Sequence, residues 1–498
     1  MSTSMPNWLM QRAFLTPNRI AVQYREEEVT FLQLHEAAAK RAKQLAAIGV
    51  SRGDVVALLM NNSLEMIKII HGLYYIGAIV LLQNTRLTPT ELEWQLSDSK
   101  AKFLVVDDEL AERVAGFKSI HITKTSDFSF LQEREYLIRN EYDLDDIATI
   151  MYTSGTTGKP KGVLQTYGNH WWSAVGSVLN LGLKETDSWL AAVPFFHISG
   201  LSILMRSVIY GISVYVMRGF DAEKANKAIM EGKATIMSVV NTMLQQMVSK
   251  LGDNTYPTTL RCMLLGGGPA PRALLEFCRD KGVPVYQTYG MTETASQIVT
   301  LAPEYSLAKL GSAGKPLFSA QIRIEKDGRK AAANEPGEIV VKGPSVTKGY
   351  LNREDVTAEV MRDGWFYTGD IGYLDEEGFL YVLDRRSDLI ISGGENVYPA
   401  EIEAVLLSHE AVEEAGVTGI SDETWGQVPC AFVKMSKGHH VTEIELYNFC
   451  KERLAKYKVP KHIYFVDELP RNASKKLLRR KLLELISGST NGAKERSS

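Results

Sequence analysis

The chain has little cysteine, no excess of either charge and no long uninterrupted apolar run. Only four cysteines, at 262, 278, 430 and 450, occur in 498 residues. None forms a Cys-x-x-Cys pair, and their spacing matches no zinc ligand set. A disulfide-stapled scaffold is excluded, and the thiols read as small buried apolar groups in a reducing, cytoplasmic setting. Basic residues number 56 and acidic ones 59, a net charge of −3. That balance gives no global electrostatic case for nucleic acid or an anionic membrane. Met1 to Trp8 lack the basic start and apolar run of a signal peptide. The most apolar stretch, Ile67 to Leu82, is interrupted by Lys68 and His71. It is shorter than the roughly 20 residues that span a bilayer, so we expect a buried helix running into a strand and no membrane insertion. No repeat with a period of about 20–50 residues is visible.

What is present is ordinary for a globular protein: 45% apolar and 23% charged residues. The length allows two or three domains. Phe31 to Ile48 has Ala-rich helical spacing, and Val55 to Met60 and Ala101 to Asp107 read as buried strands. The rhythm recurs with Ser188 to Val193 and Ser213 to Met217 as strands, and Gly200 to Tyr210 and Ala222 to Glu231 as helices. Strands interleaved with helices predict parallel α/β layers. After residue 320 short strands dominate, such as Ala320 to Glu325 and Gly337 to Lys342. Residues 398–486 read as a compact α+β unit. The polar, Gly/Ser-rich residues 487–498 read as a disordered tail.

The most informative stretch is Thr153-Ser-Gly-Thr-Thr-Gly-Lys-Pro-Lys-Gly162. Gly155, Gly158 and Gly162 let backbone amides approach an anion closely. Thr153, Ser154, Thr156 and Thr157 add hydroxyl donors, and Lys159 and Lys161 add charge. The apolar run Ile147 to Tyr152 places this loop after a strand. Gly/Ser/Thr clusters are commonly plain turns, but two lysines inside one point to a polyphosphate. It is not a Walker A loop, because Thr153 and Pro160 stand where that motif needs Gly and Ser or Thr.

Four further segments follow in order: Tyr289-Gly-Met-Thr-Glu-Thr294, Tyr367-Thr-Gly-Asp370, Asp384 to Asn396 and Leu469 to Leu477. With the decapeptide, this ordered set resembles the acyl-adenylate-forming superfamily over nearly the whole chain. The resemblance implies an α/β fold. It has a large N-terminal domain of layered α/β subdomains with a small β-barrel-like part, and a small mobile α+β C-terminal domain. The implied boundaries are 1–384 for the N-terminal domain, 385–388 for the hinge, 389–486 for the lid and 487–498 for the tail.

The implied reaction has two halves. A carboxylate attacks the α-phosphate of ATP, giving an acyl-adenylate and pyrophosphate; a thiol, usually of coenzyme A, then displaces AMP. The implied ATP site holds Thr153, Ser154, Gly155, Thr156, Thr157, Gly158 and Lys161 at the phosphates. Gly267, Gly268 and Pro269 face adenine opposite Tyr289, with Thr288, Gly290, Met291 and Thr292 alongside. Asp370 accepts from the ribose diol, and Arg385 donates to ribose or phosphate. Glu293, with Thr156, is the implied Mg²⁺ ligand, directly or through water. Lys476 is the implied adenylation catalyst, a compact point charge for the α-phosphate. Lys475 stands where relatives carry glycine, so it competes for that role. By composition alone, Lys475 to Lys481 would be a solvated basic helix face.

Ser387 occupies the implied hinge pivot, and rotation there brings Gly393 and Gly394 to the coenzyme A arm. Lys458, in the basic run 451–461, is assigned to the coenzyme A phosphates; a solvated helix end is the bland alternative. His197 and Gly200 line the implied acyl tunnel, where a satisfied half-buried histidine is the competing account. Gln165 to His170, Pro194 to Leu204, Leu264 to Pro271 and Ser296 to Leu301 resemble one branch of the aryl-CoA ligases. Pro6 to Arg12 and Lys456 to Pro460 add to that likeness. The acid of that branch has two carboxylates, one activated and one anchored. Ser199, Thr288, Gln297 and Arg206 are the polar candidates for the anchor. Other aryl- or acyl-CoA ligases and carrier-protein loading enzymes are the alternatives. The implied partners are small molecules, namely an aryl carboxylate, ATP and coenzyme A, and a homodimer is compatible with the sequence.

Lys476→Ala is expected to cripple adenylation while sparing thioester formation from supplied acyl-adenylate. Losing a charge contact made in the transition state costs about 10²–10³-fold. Equal losses in both half-reactions would reject the role, and a severe phenotype confined to Lys475→Ala would transfer it.

Overall fold

Apolar runs and Ala-rich helices fold into two mixed sheets, each with a parallel stretch, that share one core. The computed structural model describes residues 3–87, 89–153, 160–267, 270–385, 390–392, 395–397, 399–422, 425–454, 456–472 and 476–489. The helix Phe31–Ala47 starts at a capping box: the Gln33 amide donates to Thr30 Oγ1 at 3.3 Å, and the Thr30 amide to Gln33 Oε1 at 2.9 Å. Its buried face carries Phe31, Leu34, Ala38, Ala42 and Leu45, at helical spacing. The small Ala38 and Ala42 let the helix Leu64–Ile76 approach closely at Gly72. That second helix is buried almost all round and leads into the strand Ile79–Leu82. The apolar run Ile67 to Leu82 is thus a core helix and strand, as expected. Among the described residues no helix is long and apolar enough to cross a membrane.

The first sheet has seven strands. Its parallel part orders Ile147–Thr153, Ile79–Leu82, Val55–Leu59, Phe103–Val106 and His121–Lys124. Lys161–Thr166 returns antiparallel to Ile147–Thr153, so the phosphate-loop sequence joins the arms of a hairpin. Gly349–Tyr350 then pairs with the outer side of Lys161–Thr166.

The second sheet has fifteen strands. Its parallel half runs through Val285–Met291, Cys262–Gly266, Ile236–Val240, Ser188–Ala191, Ser213–Val216 and Ile20–Tyr24. From Ser296–Leu301 onward it continues antiparallel through Ser312–Pro316, Leu380–Arg385, Trp365–Leu374, Gly337–Lys342 and Gln321–Lys326. This is the expected barrel-like part; among the described residues it stays an open arc. Four of the predicted strands end one or two residues short of their apolar runs, while Met60, Val193 and Met217 beyond them remain buried. A third sheet of five strands, with the helices Pro399–Leu407 and Glu443–Lys451, has a core of its own around Ile402, Val417 and Ala431.

All four cysteines are buried. Burial raises the thiol of Cys450 to about 11 and those of Cys262, Cys278 and Cys430 to about 12. They stay protonated and act as apolar filling.

Asp187 is the main buried charge beneath the large sheet, its side chain 1% exposed. Arg261 grips it with two bonds, Nε to Oδ1 at 2.7 Å and a terminal nitrogen to Oδ2 at 2.6 Å. Thr235 Oγ1 and the Lys184 amide add bonds at 3.0 and 2.8 Å. Burial alone would raise this carboxyl, but Arg261 and the amide outweigh it and hold it low. Arg261→Ala is therefore expected to cost about 3–5 kcal/mol, because it strands the buried carboxylate. Denaturant unfolding measures this. A loss under about 1 kcal/mol, the surface-pair range, would refute the buried-charge account.

Candidate active site

Three turns at strand ends carry most of the predicted residues. The first is the hairpin. Thr153 ends one arm and lies opposite Lys161, which begins the other. Ser154, Gly155, Thr156, Thr157 and Gly158 lie outside the described residues. The Lys161 ammonium sits 5.2 Å from the centroid of the Tyr350 ring.

The second turn follows the strand Val285–Met291, which carries Thr288, Tyr289, Gly290 and Met291. Thr288 Oγ1 donates to the Leu265 carbonyl at 3.3 Å. Gly290 marks a register shift, and a Cβ there would stand 2.1 Å from the Ser296 carbonyl oxygen. Its glycine is thus a close-approach requirement. Thr292 and Glu293 sit in the single 3₁₀ turn Thr292–Thr294. Ala295 and Ser296 then take φ of +51° and +111°. Two consecutive non-glycine residues in that region store strain beside the site. Gln165 Nε2 donates to the Thr292 carbonyl at 2.7 Å, and the Thr347 amide to the Glu293 carbonyl at 2.7 Å. Tyr350 OH donates to Glu293 Oε1 at 2.9 Å.

The third element is the strand Trp365–Leu374 with Asp370, which is 6% exposed. Asp370 Oδ2 accepts from Tyr289 OH at 2.9 Å, so the predicted ribose and adenine residues meet directly. Arg385 is the backbone partner of Asp370 across the ladder. Gly267 follows the strand Cys262–Gly266 with φ +87°, and Gly268 and Pro269 lie outside the described residues.

The predicted acyl side lies on the helix Ile198–Tyr210. His197 is its N-cap, with its ring edge-on to Phe196 at 4.7 Å. Burial, and secondarily Arg86, lowers the His197 imidazole to about 4. Ser199 is exposed, while a Cβ on Gly200 would stand 2.2 Å from the Pro194 oxygen. Gly200 therefore serves packing of the turn. Buried Asn62, which the sequence reading missed, holds that turn. Its Nδ2 donates to the Val193 carbonyl at 2.9 Å, and its Oδ1 accepts from the Phe195 amide at 2.8 Å. Gln297 is buried, with Nε2 3.4 Å from Thr300 Oγ1 and Oε1 without a partner.

Arg206, on the same helix, is 1% exposed. It lies 5.0 Å from the Trp189 ring centroid and donates to Ser296 Oγ at 3.3 Å. Among the described residues it has no carboxylate partner, and its Nε has no acceptor. In the C-terminal unit, Lys458 donates to both Glu401 oxygens at 2.8 Å. Lys476 is exposed; its amide donates to Asn472 Oδ1 at 2.8 Å and its carbonyl accepts the Asn472 amide at 2.9 Å. Ser387, Gly393, Gly394 and Lys475 lie outside the described residues.

The sequence matches the AMP-binding enzyme family over residues 9–351 and the AMP-binding enzyme C-terminal domain over residues 401–476. The chain belongs to the AMP-binding enzyme family. Within that family it is 71% identical to a 2-succinylbenzoate–CoA ligase of Geobacillus sp. (strain WCH70), covering 99% of this chain and 100% of that one. It is 66% identical to the enzyme of that name from Geobacillus kaustophilus (strain HTA426), covering 97% and 98%. The o-succinylbenzoate CoA synthetase of Bacillus subtilis, solved with its acyl-adenylate intermediate, superposes with a TM-score of 0.90 at 52% identity, covering 96% of this chain and 98% of that one. The same enzyme with ATP and magnesium ion gives 0.89 at 52%, covering 97% and 100%.

A His197 imidazole lowered to about 4 is neutral at pH 7. The kcat/KM for the acid is therefore expected to show no His197 inflection between about pH 6 and 8. His197→Asn should lower it about tenfold, one hydrogen bond, without reshaping the profile. A wild-type inflection near the ordinary value of about 6.5 that vanishes in the variant would show a charged imidazole instead.

Proposed function

We propose that the chain is an ATP-dependent acid–thiol ligase that converts 2-succinylbenzoate and coenzyme A to 2-succinylbenzoyl-CoA. It acts through an acyl-adenylate, releases AMP and pyrophosphate, and serves menaquinone biosynthesis in the cytoplasm. The observation that carries this is the 71% identity to a 2-succinylbenzoate–CoA ligase over 99% of this chain and 100% of that enzyme.

The geometry supports roles for the chain's own residues. Asp370, buried and oriented by Tyr289 OH, accepts the ribose hydroxyls. Lys161 and the hairpin 153–162 hold the triphosphate. Glu293 supplies the hard oxygen donor that suits Mg²⁺. No group of three His, Cys, Asp or Glu able to hold a metal exists among the described residues, so one carboxylate plus phosphates and water is the fitting donor set. A bound Mg²⁺ would neutralise the triphosphate as charge shifts to the leaving pyrophosphate. His197, held neutral, hydrogen-bonds the reacting carboxylate without neutralising it. Lys476 approaches the α-phosphate from its exposed hairpin and leaves when the C-terminal unit turns about residues 385–388. Two observations support that boundary: Leu380–Arg385 belongs to the large sheet, and Ile390–Ser392 begins the C-terminal one. Gly393, Gly394 and Lys458 then meet coenzyme A; for Lys458 this requires exchanging Glu401 for phosphate.

The second carboxylate of the substrate is anchored by Ser296, charged up by Arg206. The guanidinium donates to Ser296 Oγ, so the hydroxyl keeps its own proton for an acceptor. A buried guanidinium with no carboxylate partner is costly by itself, and an anionic substrate offsets that cost. Gln297, next in the chain and equally buried, assists.

Pyrophosphate release against a panel of acids tests the reading. 2-Succinylbenzoate should lead, with coenzyme A required for turnover. Preference for benzoate or a medium-chain fatty acid would replace the substrate, and transfer to a carrier protein would replace the acceptor. Arg206→Met should weaken selection of 2-succinylbenzoate over 4-oxo-4-phenylbutanoate, which lacks the ring carboxylate, by roughly 2–5 kcal/mol. Folding stability should hold or rise. Unchanged selectivity would place the anchor elsewhere.

A further inference from the structure

The residue that joins the two phosphate-facing turns is Tyr350, in neither turn and in no motif singled out above. It is buried, and its backbone is fixed twice, by pairing with Val163 and by donating its amide to Thr357 Oγ1 at 3.0 Å. One side chain therefore makes two contacts from a rigid base. Its hydroxyl donates to Glu293 Oε1 at 2.9 Å, and its ring lies 5.2 Å from the Lys161 ammonium.

We propose that Tyr350 is a positioning residue for the metal–triphosphate end of the site: its phenol aims the Glu293 carboxylate and its ring places the Lys161 ammonium. The inference rests on the reading of Glu293 as the Mg²⁺ ligand given under Proposed function. A neutral phenol donor orients a carboxylate oxygen without cancelling its charge. The electron-rich ring face holds the lysine without neutralising it, as a carboxylate partner would. The cation is thus held close to the anion that meets the metal. Backbone bonds such as Thr347 to Glu293 and Leu351 to Gly162 bring the two turns together, and Tyr350 is the side chain between them that touches both Glu293 and Lys161.

The test is ATP binding by calorimetry across a Mg²⁺ titration, with metal-free ATP in chelator as a second arm. Tyr350→Phe keeps the ring and removes the hydroxyl. It should raise the Mg²⁺ needed for half-maximal ATP binding by roughly 10–100-fold, the usual range for groups behind a metal ligand. Metal-free ATP affinity and thermal unfolding should stay unchanged. Tyr350→Leu removes the ring too and should additionally weaken metal-free ATP binding. In a Glu293→Gln background, Tyr350→Phe should have no further effect. If Glu293→Gln alone leaves the Mg²⁺ dependence intact, the metal reading falls. If Glu293→Gln shifts it and Tyr350→Phe does not, or if Tyr350→Phe shifts it equally in both backgrounds, the positioning role of the phenol is overturned. Equal metal-free affinities for Tyr350→Phe and Tyr350→Leu would overturn the role of the ring.

Discussion

The site depends on a clip between two sheets that share a core but no strand. Each sheet ends in one turn to which phosphate or metal contacts are assigned: the segment 153–162 on the first, and Thr292–Thr294 on the second. Neither sheet's ladder fixes the distance between them. The segment 344–351 does, through polar bonds to both. Leu351 donates to the Gly162 carbonyl at 2.8 Å, and Thr347 to the Glu293 carbonyl at 2.7 Å. Asn169 Nδ2 reaches the carbonyls of Pro344 and Val346 at 3.0 and 2.8 Å. Gln165 crosses directly to Thr292. These bonds are directional where core packing is not, so they set register between layers that could otherwise slide.

Burial is treated differently where structure and chemistry make different demands. Asp187 and Arg261 are fully matched, with four bonds on the carboxylate, and nothing there is left for a ligand. Arg206 is equally hidden, yet its described neighbours are an indole face, the Tyr210 phenol and a serine hydroxyl, with no carboxylate among them. The buried Arg206 and two adjacent positive-φ residues, Ala295 and Ser296, lie together, joined by the bond from Arg206 to Ser296 Oγ. Such unfavourable features suit the acyl end proposed for that region.

Much of the scaffold was legible because its signals are local. The helix Phe31–Ala47 announces itself by apolar spacing and by Thr30 and Gln33 at its start. The phosphate hairpin is legible because glycines, hydroxyls and lysines crowd ten residues. Asp370 and Tyr289 were singled out separately, but only the fold reveals that they bond each other across 81 residues. Asn62 and Tyr350 escaped notice for the same reason: their partners lie 131 and 57 residues away, and neither residue type is unusual locally. The strain at Ala295 and Ser296 was invisible because neither residue is the glycine that a positive φ normally signals. Gly200 and Gly290 were read as ligand contacts. Packing also requires glycine at both, since a Cβ at either would collide with backbone oxygen.

The C-terminal lysine suits the role proposed for it, acting in one half-reaction and departing for the next. The Lys476 backbone makes a reciprocal pair of bonds with Asn472, and Arg471 and Leu477 bridge the same hairpin. The hairpin thus has its own shape and carries an exposed side chain. Arg471, fixed by its ion pair to Glu414, ties the hairpin to its own sheet. In the proposed mechanism the hairpin can therefore move as part of the C-terminal unit. Within that proposal, the half-buried Lys458–Glu401 pair must also open before Lys458 can meet a phosphate.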